Sequence, residues 1–431
     1  MGSETQQTHD EHYLRAVTGL GNTRKIVATC DIYSQSGIKL VAAGFHITSE
    51  LYERLVMHKL LPPIDKALSV ENMLNPERIL ADVLALLDHN DKLRMVGQVV
   101  NQGNSYHQIV TDIRLPSPLA FKLTVAKEQF PQIYQHSLLL MVISVYLARC
   151  DGKSLHEEEA VAIAALFHDI GLLHIDPRLL EPSHMMTPAE RRHLYTHPLT
   201  AYLLLSEFPE LPKLIANAVL EHHEMMDGSG YPRGLHGEKI SRCGQILAVA
   251  ELAAKAFDSD NPSVPWKKLE VMLKLNSRKY GPGLIGHLNI LHTDVAQTSA
   301  NENEPDRLVE QVKLIARLFD DFNHLADPQC NDPICDFAQT RLAELRLNLI
   351  GAGFDPRDPA GLIQMFMDDP GCMAGYEPIL GEAIWQFKSL VLEISRQWAE
   401  EVEKSAAETD KTEHAWLNEM RLVLSAAELD E

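Results

Sequence analysis

The sequence has few cysteines and few basic residues for its length, and each shortage excludes a class of protein. Only 6 of the 431 residues are cysteines, and their scattered positions do not form the framework of a small disulfide-linked secreted domain. Lysine and arginine number 39 against 60 acidic residues, which gives a formal net charge of −21. Such a chain has no general attraction for nucleic acid or an anionic membrane, so we predict no nucleic acid polymer as a partner. An anionic ligand must be held by local cations or by metal.

The sequence also lacks an apolar run long enough to span a bilayer. The most prominent run extends from Ser137 to Ala148 and ends at Arg149, well short of the roughly 20 residues that a transmembrane helix needs. The N-terminus from Ser3 to Glu11 is polar and acidic, which is unlike a signal peptide. We therefore expect no membrane span and a cytoplasmic protein, because a reducing compartment suits free thiols.

Length and hydrophobic pattern predict a mainly α-helical protein with several parts. With 45% hydrophobic and 23% charged residues the chain resembles a folded soluble protein, and its length exceeds one ordinary core. We predict a disordered tail over residues 1–22, a small α+β regulatory module over 23–118, an all-α domain over 119–297 and a helical C-terminal region over 305–431. The module has no catalytic spacing, so it is either a sensory or partner-binding domain or a structural appendage.

Capping signals mark the helices of the all-α domain. Ser154-x-x-Glu157 and Thr187-x-x-Glu190 are capping boxes, and the second has proline at the first helical position. Together with the apolar periodicity they predict helices over residues 158–168, 188–208, 212–224 and 245–257.

Histidines and carboxylates recur at the ends of these predicted helices. An aspartate directly after a histidine can bridge two metals while the histidine binds one of them, and a set rich in His and Asp suits a binuclear centre of Fe, Mn or Zn rather than a structural zinc site. Two such metals would activate a bridging hydroxide and neutralise a phosphate. Arg233 and Lys239 are either phosphate-binding cations or ordinary surface residues. The candidate metal ligands are His136, His168, Asp169, His197, His222, His223 and Glu251.

Four motifs resemble those of the HD-GYP family over roughly residues 126–296. They are His168-Asp169-Ile170-Gly171, His197-Pro198, His222-His223-Glu224 and the run from Asp227 to Gly237, which includes Gly230-Tyr231-Pro232. The resemblance implies a bacterial phosphodiesterase that hydrolyses cyclic di-GMP to pGpG and, in some members, on to GMP. It implies that the six candidate ligands other than Glu251 match the family's metal ligands. It also implies that the Gly230-Tyr231-Pro232 loop, to which we add Arg233 and Lys239, shapes the substrate site and, in some members, contacts diguanylate cyclase (GGDEF) domains.

The sequence departs from the family at four positions. Leu172 and Glu181 stand where the family usually has lysine, Glu251 stands where it has an aspartate ligand, and Gln132 stands where members with three metals carry glutamate. Two metals are therefore favoured. Loss of one electrostatic contact to a phosphate typically lowers the rate by about 10²–10³.

These departures leave a rival interpretation open. It is a catalytically weak or inactive regulatory module that acts through protein partners. A general HD-type nucleotide phosphohydrolase would explain the His168-Asp169 pair but not the Tyr231-Pro232 loop. The C-terminal helices suggest a homodimer or a cover for the site.

Overall fold

The structure is a computed structural model that describes most of the chain in two compact units. The described residues are 4–181, 184, 186–254, 277–288, 304–325, 333–368, 373–398 and 415–428. Among them, the first unit comprises residues up to 254 together with 278–288, and the second comprises Ser277 and the residues from 304 onwards. The predicted regulatory module therefore lies in one unit with residues 119–254 and 278–288 of the predicted all-α domain.

The N-terminal part of the first unit combines short strands with helices, in agreement with the predicted α+β module. Its strands are β1 (Ile26–Ala28), β2 (Ile32–Ser34), β3 (Lys39–Val41), β4 (Leu60–Leu61) and β5 (Leu68–Val70). They form two antiparallel sheets, one of β1 with β5 and one in the order β3-β2-β4. Its helices are α1 (Glu4–Leu20), α2 (Tyr52–Val56), α3 (Pro76–His89), α4 (Asp91–Val100) and α5 (Tyr106–Thr111), with 3-10 helices at Ser49–Leu51 and Ile64–Lys66.

The N-terminal segment is a helix, so the prediction of a disordered tail over residues 1–22 was wrong. Residues 1–3 lie outside the described residues, and α1 begins at Glu4. The segment begins with polar residues, so the sequence did not indicate the apolar face of this helix, which packs on residues far along the chain. Tyr13, for example, stacks on His174 with ring centroids 4.9 Å apart. The buried residues of that face are Tyr13, Leu14, Val17 and Leu20.

The helical part of the first unit surrounds the candidate site. Its helices are α6 (Ser117–Gln129), α7 (Pro131–Cys150), α8 (Leu155–Phe167), α9 (Pro188–Leu194), α10 (His197–Ser206), α11 (Lys213–Glu221), α12 (Arg242–Ala254), α13 (Ser277–Tyr280) and α14 (Pro282–His287). Its 3-10 helices are Ile170–His174, Pro177–Leu180 and Gly237–Lys239. Both predicted capping boxes are present, at the start of α8 and at the start of α9.

The single helix predicted over residues 188–208 is divided in two. The turn that ends α9 is closed by backbone bonds from Tyr195 N–H to the Arg191 carbonyl and from Thr196 N–H to the His193 carbonyl. Proline follows at the start of α10, where its missing N–H leaves no intrahelical bond unmade. The break places His197 at the first residue of a new helix, with its side chain buried.

Helix α7 contains the apolar run that we predicted to be a buried helix. It extends over 20 residues, and by length and composition it is the one helix among the described residues that could cross a bilayer, but 72% of its most apolar window is buried inside the protein. The core helix of a soluble protein can have the same length and composition. Its run from Ser137 to Ala148 is buried throughout, which confirms the prediction of a core helix.

The second unit is helical, as predicted for the C-terminal region. Its helices are α15 (Glu304–Leu325), α16 (Pro333–Gly351), α17 (Pro359–Asp368), α18 (Met373–Gln397) and α19 (Ala415–Glu428). They share one apolar core, in which Phe319 contacts Phe387 edge to face and Phe322 contacts Trp416 in the same way.

Candidate metal centre

Three histidines of the candidate site are oriented in the same manner. In each of them, Nδ1 of the ring lies within hydrogen-bond distance of a backbone carbonyl oxygen. Because a carbonyl oxygen can only accept, the ring must carry its proton on Nδ1, and in the neutral ring Nε2 is then a free acceptor. Proteins commonly orient metal-binding imidazoles through such a second hydrogen bond. The Nδ1–H donates to the carbonyl three residues earlier in each case, from His168 to Ala165 at 2.7 Å, from His197 to Leu194 at 2.8 Å and from His222 to Val219 at 2.6 Å.

The Nε2 atoms of these rings converge on the carboxylate of Asp169. Oδ1 lies 3.2 Å from Nε2 of His197 and 3.8 Å from Nε2 of His222, whereas Oδ2 lies 3.2 Å from Nε2 of His168. The Nε2 atoms of His197 and His222 are 3.3 Å apart. With the ring protons on Nδ1, these are contacts between acceptors, which repel one another unless a cation lies among them. The two oxygens of Asp169 thus face different histidines.

The seven candidate ligands form two neighbouring groups that could each hold a metal ion. In each group the ligand atoms lie within 4.8 Å of one another. Neutral imidazoles with carboxylates are a donor set that suits Fe, Mn or Zn. One group comprises Asp169, His197, His222 and His223, and the other comprises His136, His168 and Glu251.

The second group contains a buried polar atom without a partner. Nε2 of His168 is buried and makes no hydrogen bond, and the residue is only 1% exposed. Glu251 Oε2 lies 2.8 Å from Nε2 of His136 and 3.9 Å from Nε2 of His168. Buried polar atoms are nearly always paired, and a metal ion between these side chains would satisfy the orphaned nitrogen. The residues therefore fit a metal.

The environment of His222 favours the neutral form that metal binding requires. Its ring is completely buried. Burial, and then the neighbouring rings of His168 and His197, lower the pKa of His222 to about 3. At neutral pH the ring is therefore unprotonated on Nε2 and free to act as a ligand.

Gly171 explains why the segment after the His168-Asp169 pair can approach α10 so closely. A Cβ at this position would lie 2.2 Å from the carbonyl oxygen of His197 and 3.1 Å from the amide nitrogen of Ala201. Only glycine leaves room for this contact between two backbones. The His-Asp-x-Gly spacing thus brings Asp169 against the first turn of α10, where His197 stands.

The Gly-Tyr-Pro loop forms a wall beside the first metal group. At Gly230 a Cβ would lie 2.3 Å from the Met225 amide nitrogen, so the loop backbone packs directly on the chain that follows α11. The Tyr231 N–H donates to the carbonyl of His223 at 3.0 Å. The Tyr231 ring stacks on the His223 ring with centroids 4.6 Å apart, and the Tyr195 ring stacks on Tyr231 at 4.2 Å. A row of three aromatic rings therefore leads away from the metal centre.

Two buried glutamates beside the histidine pair hold this loop in place. Glu224 accepts backbone N–H bonds from Arg233 at 2.7 Å and from Leu235 at 2.8 Å, one on each oxygen. Glu221 accepts from Arg233 Nη2 at 2.7 Å and from the Ser241 N–H at 2.8 Å. All four carboxylate oxygens thus bond to the loop, which fixes it relative to the end of α11.

Several positions singled out in the sequence have surroundings that the sequence did not indicate. The guanidinium of Arg233 pairs with Glu221, so in this structure it supports the loop. Lys239 is exposed at the end of its 3-10 helix. Leu172 packs in an apolar cluster with Ile175 and Leu179, and Glu181 is exposed.

The sequence reasoning missed the roles of Tyr195 and Glu221. Glu221 lies three residues before Glu224, at the end of an apolar helix where a solvated carboxylate would be unremarkable, and its burial depends on the fold of the loop. Tyr195 stands two residues before His197, which was the available signal. Its stacking partner, Tyr231, comes from a loop that the sequence alone does not place beside it.

Comparison with known proteins identifies the helical part of the first unit. Residues 122–279 match the family described as "HD domain". The chain is 32% identical over 151 residues to a cyclic di-GMP phosphodiesterase of Thermotoga maritima, a match that covers 34% of this chain and 41% of that protein. It is 39% identical over 126 residues to a cyclic di-GMP phosphodiesterase response regulator of Xanthomonas campestris pv. campestris, covering 28% of this chain and 31% of that one.

A third relative is named for a different cyclic dinucleotide. The chain is 31% identical over 144 residues to 3′3′-cGAMP-specific phosphodiesterase 1 of Vibrio cholerae, and the match covers 33% of this chain and 32% of that protein. All three matches span less than half the length of the relatives. The resemblance indicated by the motifs is thus confirmed over residues 122–279, which match the HD domain family and have relatives named as cyclic di-GMP phosphodiesterases.

Proposed function

We propose that this protein is a metal-dependent phosphodiesterase that hydrolyses cyclic di-GMP to pGpG. The observation that carries the proposal is the pair of His/carboxylate groups joined by Asp169, in which the unprotonated Nε2 atoms of His168 and His197 face the two carboxylate oxygens of Asp169. The names of the relatives support cyclic dinucleotides as the substrate class. Hydrolysis adds the oxygen of water to one phosphorus and breaks its bond to the ribose 3′ oxygen, which takes up a proton.

The chain's own residues would bind and orient the reacting groups. His136, His168 and Glu251 would hold one ion, and His197, His222 and His223 the other, with Asp169 shared between them. When bound, two Fe or Mn ions, or Zn, would supply an activated hydroxide and offset the negative charge of the phosphate. The hydrogen bonds on Nδ1 of His168, His197 and His222 keep each ring in one tautomer and one direction.

The Gly-Tyr-Pro loop would form one side of the substrate site. Tyr231 is stacked between a candidate ligand, His223, and Tyr195, so a nucleobase would stack at the Tyr195 end of this aromatic row rather than on Tyr231 itself. Pro232 and Arg233 are exposed in this loop, which suits contact with a GGDEF domain or another partner. We place the protein in the cytoplasm, and a homodimer through the second unit remains a prediction.

The second candidate function is a regulatory module with little or no turnover. It is favoured by the apolar surroundings of Leu172 and by the pairing of Arg233 with Glu221, because both reduce the number of cations free to meet a phosphate. In this alternative the two metal-binding groups would stabilise the fold and support binding to a protein partner.

One experiment separates the two functions. The full chain is purified with Fe or Mn, its metal content is counted by mass spectrometry, and cyclic di-GMP and 3′3′-cGAMP are followed by chromatography. We expect two ions per chain and conversion of cyclic di-GMP to pGpG. The variant with His168→Ala and Asp169→Ala should lose both metal and activity, whereas His156→Ala should keep them, because that side chain is 73% exposed and lies outside the centre.

Each other outcome has a defined meaning. Two ions per chain without hydrolysis of either nucleotide would refute the enzyme and favour the regulatory module. Hydrolysis of 3′3′-cGAMP in preference to cyclic di-GMP would correct the substrate but keep the reaction.

A further inference from the structure

A buried lysine joins the N-terminal part of the first unit to the segment that follows the His168-Asp169 pair. Lys122 lies in α6, and its side chain is only 3% exposed. Its Nζ lies 3.0 Å from Oδ2 of Asp65, which belongs to the 3-10 helix Ile64–Lys66. The same Nζ lies 3.4 Å from Nε2 of His174 and 3.7 Å from the ring centroid of Tyr13. Three segments distant in sequence thus meet on one ammonium group.

The chemistry of this contact makes its members depend on one another. A buried ammonium is unfavourable unless it is paired, and removal of one partner leaves the other charge buried without compensation. The Asp65 carboxylate supplies the opposite charge, and the face of the Tyr13 ring adds a cation–π contact. Tyr13 also stacks on His174 at 4.9 Å with an interplanar angle of 27°. Asp65 and Tyr13 both belong to the N-terminal part, so that part completes the cluster.

His174 connects this cluster to the metal centre through a short stretch of backbone. It is the last residue of the 3-10 helix Ile170–His174, and Asp169 directly precedes the first residue of that helix. The Leu172 N–H donates to the Asp169 carbonyl at 2.9 Å, and the Ile175 N–H donates to the Leu172 carbonyl at 3.0 Å. A displacement of His174 is therefore passed to Asp169 through a hydrogen-bonded helix of five residues.

The segment is confined from two sides. On one side Gly171 meets the His197 carbonyl with no room for a Cβ. At its other end the ring of His174 meets Tyr13 and Lys122. We propose that Lys122, with Asp65 and Tyr13, is a positioning residue that holds Asp169 between the two metal groups, so that the N-terminal part is a working component of the metal centre. This inference rests on the proposed metal centre of the preceding section.

The test compares Mn²⁺ binding by the metal-free full chain and its variants, measured by calorimetry well below the unfolding temperature. Lys122→Met and Asp65→Asn are each expected to weaken Mn²⁺ binding by about 10–100-fold, as loss of a group that orients metal ligands does. Lys122→Arg keeps the charge and should retain most of the affinity. Combining Lys122→Met with Asp65→Asn should weaken binding less than the product of the two single effects, because both break the same contact.

The matched control is Lys127→Met in the same helix. Lys127 also pairs with a carboxylate of the N-terminal part, Asp82, at 2.6 Å, but its side chain is 36% exposed. None of its described contacts reaches Asp169–His174. It should keep the wild-type Mn²⁺ affinity even where it lowers the unfolding temperature.

The readout separates positioning from simple support of the fold. If Lys122→Met lowers only the unfolding temperature and leaves Mn²⁺ affinity unchanged, the proposal is wrong. If Lys122→Met does not fold, wild-type affinity in Asp65→Asn would refute the proposal in its place. Failure of the wild type to hydrolyse any cyclic dinucleotide would refute the proposed function. The role of Lys122 would still be decided by the Mn²⁺ affinities of the variants.

Discussion

Replacement of Gly171 by alanine is expected to separate Asp169 from His197. The new Cβ would lie 2.2 Å from the His197 carbonyl oxygen, a contact that must open by about 1.2 Å to reach the 3.4 Å of an ordinary one. Since Asp169 Oδ1 and His197 Nε2 now lie 3.2 Å apart, such a shift would remove Oδ1 from the reach of an ion held by His197. Overpacking of this kind typically costs about 1–3 kcal/mol, and a misplacement of about 1 Å lowers catalytic rates by roughly 100-fold.

Three measurements on Gly171→Ala check this reasoning. Metal content should fall below that of the wild type, kcat should fall by about 100-fold, and the unfolding temperature should fall by roughly 2–12 °C, as expected for a change of that size in a unit this large. The control is Gly286→Ala in α14, where a Cβ would meet nothing within 4 Å. If Gly171→Ala matches this control in metal content and kcat, Asp169 does not depend on the contact between the two backbones.

Three further predictions address the loop, the pH dependence and the missing lysine. Glu224→Gln places an NH₂ group opposite a backbone N–H and should lower the unfolding free energy by about 1–3 kcal/mol, measured by chemical denaturation. The control is Glu238→Gln, at an exposed glutamate of the same loop. Equal stability of the two variants would contradict the prediction. The pKa of His222 lies at about 3 in the folded protein instead of the ordinary 6.5, so between these pH values the unfolded chain binds a proton that the folded chain does not. The unfolding free energy of the metal-free protein should therefore fall on acidification, by up to about 1.4 kcal/mol per pH unit from this group. An unfolding free energy that stays constant from about pH 6.5 to pH 4 would argue against this. So would a dependence of the unfolding free energy on pH that is unchanged in His222→Gln. Leu172→Lys buries an ammonium group beside Ile175 and Leu179, so it should lower the unfolding temperature without raising kcat; a raised kcat would show instead that its amine reaches the substrate.

The candidate metal ligands could be selected from the sequence because the geometry that orients them is mostly local. A histidine in the last turn of a helix or directly after it finds the carbonyl three residues earlier, and this one bond orients its ring. His168 and His222 therefore needed only correct helix ends, and the capping box at Ser154 supplied the start of the helix that leads to His168. His197 needed a helix break that the apolar pattern did not reveal, since apolar residues continue across it.

The roles that were missed depend on contacts between distant segments. The polar residues before Tyr13 suggested a disordered tail, although the tyrosine itself packs on His174 and Lys122. The carboxylate of Glu221 is satisfied by a loop that returns to it 12 and 20 residues later. Neither partner is within one helical turn, so no local pattern could have indicated these contacts.

The position of Asp169 has a consequence for how two metal ions would bind. One carboxylate oxygen faces His197 and His222, and the other faces His168. Binding of the first ion would therefore fix the rotamer of Asp169, which the second ion also needs. The loss of side-chain entropy would then reduce the affinity for the first ion only. We expect positive cooperativity in metal uptake, visible as a titration steeper than that of two independent sites, with few molecules carrying a single ion at intermediate metal concentration.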